Sequence, residues 1–166
     1  MDILVNSFGK VIFGAKEYPC VLGENGVTRD KKEGDRTTPI GCFPLREVFY
    51  RPDRIAKPKT GLAISEVGKD DGWCDDVNLP EYNQKVKLPF SGSHEKLWRE
   101  EDNLYDLIVV VGYNDNPVIS GKGSAIFIHI ARPAFTPTAG CIAFRKEDLL
   151  EILKDCDSNT KICIQN

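Results

Sequence analysis

SAIFIHIARPAFTPTAGCIAFRKED, residues 124–148, is the stretch on which the reading of this chain turns. As an extended strand its opening places Ile126, Ile128 and Ile130 on one face and Phe127, His129 and Ala131 on the other. His129 therefore stands opposite an apolar stripe, near a strand end, where an imidazole is held rigidly. Pro133 and Pro137 stiffen the connection that follows. Gly140 then precedes Cys141, and a glycine there lets the backbone turn tightly and open its N–H groups toward a bound carbonyl. A thiol has an ordinary pKa near 8.5 and is a poor nucleophile until a neighbouring base takes its proton. Cys141 as nucleophile, His129 as base and the Gly140 backbone as oxyanion donor form one constellation. The competing reading makes both side chains ordinary packing residues.

Outward from this stretch, RKEDLLEILKD at 145–155 predicts a helix. Leu149, Leu150, Ile152 and Leu153 give it an apolar stripe, and Glu147 and Asp148 occupy its first turn, where the helix dipole favours anions. LIVVVGY at 107–113 is nearly continuous in β-formers and predicts a buried central strand. Further strands are expected at 2–6, 10–14, 19–22, 125–131 and 160–165. SHEKLWREE at 93–101 suggests a second short helix. Residues 51–92 are polar and rich in Pro and Gly, and a loop of that length is expected to be functional; they read as a partly ordered insertion near a cleft. The fold class is mainly β with a few short helices.

The 166 residues suit a single domain, 1–166, able to bury a core without staples. With 22 basic and 25 acidic residues the net charge is −3, which argues against a nucleic-acid partner. No apolar run approaches the roughly 18–20 residues of a spanning helix. The opening MDILVNSFGKVIFG lacks the basic start and unbroken apolar stretch of a signal peptide. The six cysteines read mostly as small apolar core residues, with disulfides as the alternative. No zinc-ligand spacing, P-loop, dinucleotide fingerprint or G-x-S-x-G elbow is present.

Two separated motifs carry a family resemblance. His129, Thr138, Gly140, Cys141 and Ile142 are similar to the catalytic motif of the L,D-transpeptidase (YkuD-like) domain. EGDRTTPIGCF at 33–43 resembles that family's upstream motif through Gly34, Asp35, Thr38, Pro39, Gly41 and Phe43. DGWCDD, YN, SHEKLW and LYD, at 71–76, 82–83, 93–98 and 104–106, resemble a bacterial subgroup. The chain departs from the pattern at Ala139, where His is common, at Ala143, where Arg or Asn is common, and at Ile130, where Gly or Ser is common. The resemblance implies a β-sandwich and no metal or organic cofactor. It implies a peptidoglycan stem peptide as substrate, cleaved through a cysteine acyl-thioester and passed to an amine.

In that frame the Ile130 carbonyl orients His129, while Thr138 and Arg145 contact substrate. Trp73, Tyr82 and His94 are candidates to wall a peptide groove, with plain packing, or a helix-start position for His94, as the alternative. Asp35 and Thr38 read first as turn chemistry and second as a brace for the site. The alternatives in function are an L,D-carboxypeptidase with the same Cys–His pair and a non-catalytic cell-wall binding module. The implied location is the periplasm or cell envelope, and the expected state is a monomer.

Overall fold

The computed structural model describes residues 1–166. β1 (Ile3–Val5), β2 (Lys10–Phe13) and β3 (Lys16–Val21) form an antiparallel meander. Their alternation sends Ile3, Val5, Val11 and Phe13 into the core and leaves Leu4 and Ile12 outside. β4 (Val27–Thr28) and β5 (Thr38–Pro39) make a short parallel pair. β6 (Gly41–Tyr50) is the longest strand, and sequence reading missed most of it because Pro44, Arg46 and Glu47 interrupt its apolar pattern. It is followed by β7 (Ile64–Glu66), β8 (Asp71–Cys74), β9 (Lys85–Lys87) and β10 (His94–Lys96). The chain ends with β11 (Leu107–Val111), β12 (Phe127–Ile130), β13 (Ile142–Phe144), helix α1 (Lys146–Leu153) and β14 (Lys161–Ile164).

The main sheet runs β11-β12-β13-β3-β2-β1-β14-β6-β7, and a further pairing of β6 with β11 brings its ends together. The mainly β, sandwich-like architecture expected from the sequence is thus a sheet nearly closed on itself. β11 is buried along its whole length because both of its faces are covered. Leu107, Val109 and Val111 join Ile126, Ile128 and Ile130 in the interior core. Ile108, Val110 and Phe127 point the other way, into a second cluster with Phe49, Trp73, Leu97 and Tyr105.

That second cluster lies against the inserted segment, which forms more structure than the sequence suggested. β10, β8 and β9 make their own antiparallel sheet, with His94 opposite Cys74 and Trp73 opposite Lys85. The second helix expected at 93–101 does not form. Its helix-favouring residues are overridden by pairing with β8, which gives backbone partners to a segment too short to hold a stable helix alone. Arg51, 1% exposed, stacks on Trp98 at 3.5 Å, bonds both Asp53 oxygens and donates to the Arg99 carbonyl, fixing the far end of the insertion. A disulfide joins Cys42 on β6 to Cys163 on β14, at positions opposite in register. Cys20, Cys74 and Cys156 are buried free thiols. No helix is long and apolar enough to cross a membrane.

Candidate active site

β12 and β13 run parallel, with His129 level with Ala143 and Ile128 level with Ile142. Extending that register by one step sets Cys141 beside Phe127, and the Phe127 N–H donates to Sγ at 3.4 Å. Neighbouring residues in a parallel pair project to the same side, so Cys141 and His129 share the outer face of the sheet. Both line one cleft of about 340 Å³.

His129 is 6% exposed, and its Nδ1 lies 2.9 Å from the Ile130 carbonyl. A carbonyl only accepts, so Nδ1 carries the hydrogen and Nε2 keeps its lone pair. Tyr105 packs edge-on to the ring at 5.4 Å. Burial pushes the imidazole down to about 4, which keeps it neutral at pH 7. The Cys141 thiol donates to the Ala125 carbonyl at 3.2 Å. Burial, reinforced by the nearby Glu95 carboxylate, pushes it up to about 12. The resting pair is therefore a neutral thiol and a neutral imidazole, and no hydrogen bond joins them. Ala125 holds a positive φ of 53° and its N–H donates to Asn83 Oδ1 at 3.0 Å. Asn83 also accepts from the Trp73 indole and donates to the Tyr113 and Asn114 carbonyls. The insertion thereby fixes the carbonyl on which the thiol rests.

The turn before Cys141 is braced from two sides. Thr138 Oγ1 accepts from the Gly140 N–H at 3.0 Å and donates to the Cys141 carbonyl at 2.7 Å. The Gly140 amide, expected to serve an oxyanion, is thus already engaged, whereas the Cys141 N–H has no protein partner. Thr138 acts on the turn itself, its hydroxyl committed to backbone. From the other side Thr38, fully buried, accepts from the Gly23 N–H at 2.9 Å and donates to the Gly140 carbonyl at 2.8 Å. Glycine is required at 140 because φ is 135° and a Cβ would meet the Thr37 carbonyl at 2.7 Å.

The upstream motif therefore does both things its residues suggested. Asp35 accepts from the Lys32 and Thr37 amides, the Thr37 hydroxyl and Lys31 Nζ. Although burial opposes ionisation, these donors hold its carboxyl well below the usual carboxylate range. Thr38 then carries this ordered loop onto the Cys141 turn.

Several expected substrate contacts lie elsewhere. Arg145 caps α1, exposed and stacked near Phe135 at 5.4 Å, outside the cleft. Trp73 is buried edge-on to Phe127 at 5.1 Å, behind the site. Tyr82 is 2% exposed and donates to Glu33 at 2.7 Å, a wall support. His94 opens on a separate surface depression with Phe90 and Lys96. The walls are instead Glu33, Asp75 and Glu95 with Arg36, Arg99 and Arg132. Glu95 accepts from the Tyr105 hydroxyl, and burial raises its carboxyl. Of these wall residues, only Asp75, with Asp76, reads from the sequence as a candidate to contact an amine, against a solvated turn as the plainer reading; the others are charged residues of the kind that ordinarily reads as solvated surface. No group of three or more His, Cys, Asp or Glu side chains is arranged to hold a metal ion.

A family model described as the L,D-transpeptidase catalytic domain matches residues 9–164. No curated protein matches the chain significantly. Among solved structures, the helical cell shape determining protein Pgp2 from Campylobacter jejuni aligns at 16% identity and a TM-score of 0.47, over 98% of this chain and 46% of its own. Mycobacterium tuberculosis L,D-transpeptidase 1 aligns at 14% identity and a TM-score of 0.43, over 99% of this chain and 61% of its own. The chain thus spans about half the length of Pgp2 and under two thirds of L,D-transpeptidase 1.

Proposed function

We propose, from the premise that this chain belongs to the L,D-transpeptidase catalytic domain family, that it is a cysteine-dependent acyltransferase acting on peptidoglycan stem peptides. One observation carries the reading: Cys141 and His129 sit on the same face of adjacent strands, in one cleft. The thiol gives its proton to His129 Nε2 as Sγ attacks the carbonyl of the L-centre ahead of a terminal D-residue. Because both groups rest neutral, proton transfer accompanies attack instead of preceding it. The oxyanion turns to the free Cys141 N–H. Collapse breaks the C–N bond, and the imidazolium returns its proton to the leaving amine. An acceptor amine then attacks the thioester carbonyl and loses a proton to His129; collapse breaks the C–S bond, and the imidazolium returns that proton to the departing sulfur, which re-forms the thiol.

A cleft bearing three carboxylates and three guanidiniums suits a peptide that carries both signs of charge. The Cys42–Cys163 bond supports an extracytoplasmic location, since disulfides persist in oxidising compartments. A non-catalytic cell-wall binding module is the second reading, favoured by the thiol resting on Ala125 and not on His129. Incubation with a disaccharide tetrapeptide separates the readings. A cross-linked dimer is the expected product. A bare tripeptide means that water is the acceptor, as in an L,D-carboxypeptidase. Unchanged substrate, with no mass adduct after carbapenem exposure, overturns catalysis and leaves the binding module.

A further inference from the structure

Lys31 is the one buried cation near the nucleophile, with its side chain 4% exposed. Its stem passes between two glycines on opposite arms of the site. A Cβ on Gly123, ahead of β12, would strike Lys31 Cε at 2.9 Å, and a Cβ on Gly140 would stand 3.4 Å from Nζ. Two of the three ammonium hydrogens are used, on Asp35 Oδ1 and the Thr37 carbonyl, each at 2.8 Å. The third has no protein acceptor. Removing a lysine from water is costly unless its charge is paired and its hydrogens are bonded, and a structural peg in this space would need no charge.

We propose that Lys31 is a positioning residue of the site: its ammonium, held under the Gly140–Cys141 turn by Asp35 and Thr37, steadies the negative charge that forms when the Cys141 thiol releases its proton. The charged groups that act on Cys141 are Glu95, which disfavours a thiolate, and Lys31, which favours one. Lys31 and Glu95 thus set opposing fields on one sulfur, with Asp35 muting the first. In the proposed reaction the same field reaches the oxyanion. The inference rests on Cys141 being the reacting group but not on any acceptor.

The test is the rate of Cys141 alkylation by iodoacetamide, read by peptide mass between pH 7 and 10 on the folded protein, with a melting curve for each variant. Lys31→Gln is expected to slow alkylation about tenfold at each pH. Asp35→Asn, nearly isosteric, leaves the ammonium unneutralised and is expected to raise the rate several-fold. Damage to packing would move both variants the same way, and that result overturns the proposal. So does a folded Lys31→Gln that reacts like the parent. Should Lys31→Gln not fold, an Asp35→Asn rate at or below the parent's overturns it as well. Opposite shifts in a protein that makes no wall product and no carbapenem adduct would sink the transferase reading and leave the role of Lys31 standing.

Discussion

Burial pushes three thiols of this molecule, Cys20, Cys141 and Cys156, to the same height, about 12, and only Cys141 stands where chemistry can reach it. Cys156 follows α1, is 2% exposed within the interior core and donates to the Ile152 carbonyl at 3.3 Å. Cys141 is half-buried at the cleft floor, between the Phe127 N–H and the Ala125 carbonyl, with an imidazole on the same sheet face. Proton affinity alone therefore does not mark a nucleophile. What separates the two regions is β12 beside Cys141, which supplies an imidazole, a hydrogen-bond donor and an open side, against the closed apolar packing around Cys156.

Substitution tests that contrast most directly. Cys141→Ala is expected to abolish the carbapenem adduct and lower turnover by about a thousandfold or more. Cys156→Ala is expected to keep acylation within about twofold and to cost about 1 kcal/mol in denaturant unfolding. Equal losses would erase the distinction.

The next test strikes the brace that the Cys141 turn has and Cys156 lacks. Thr38→Val removes a hydroxyl that satisfies the Gly23 N–H and engages the Gly140 carbonyl. Each polar group left unsatisfied in the interior costs about 1–3 kcal/mol. Acylation of Cys141 is expected to fall about 10- to 100-fold, since small displacements of a reacting group are expensive, while the surroundings of Cys156 stay unchanged by amide exchange. Parent-like acylation in Thr38→Val would show that the turn holds without its brace.

The smallest effect concerns pH. His129 titrates near 4 in the folded protein and near 6.5 when unfolded, so the unfolded chain takes up this proton first as pH falls. Its contribution to stability is complete above about pH 6.5 and is lost progressively toward about 4. Acylation is expected to change by no more than about twofold between pH 7 and 5.5, with its acid limb near 4. An acid limb near 6.5 would mean that the imidazole is solvated and that the sheet face is more open than the packing against Tyr105 implies. His129→Gln, measured by thermal melts, should lose less stability than the parent over the same interval.

The site's centre was legible early because it is local. Alternation along residues 125–131 put His129 opposite the isoleucines, and the Gly140–Cys141 pair announced a tight turn. The supports were partly legible: Asp35 and Thr38 stood in a recognisable turn, but the bond from Thr38 to Gly140 spans about a hundred residues of chain. The walls were not legible. Trp73 and Tyr82 looked like groove aromatics and pack behind the site, while Glu95 and Arg99 sat in a segment read as helical and line the cleft instead.

The sequence by itself determined the β class, the central strand at 107–111, the helix after Cys141 and the face that His129 occupies. Each of these follows from a period of two or 3.6 that neighbouring residues impose on one another. Only the tertiary structure decided that Lys31 lies against the Gly140 turn, that Cys42 meets Cys163, that Arg145 turns outward and that 94–96 pairs as a strand. Those outcomes depend on which distant segment covers which face. Strand pairing and apolar burial summed over the whole chain settle that, and no local pattern records the sum.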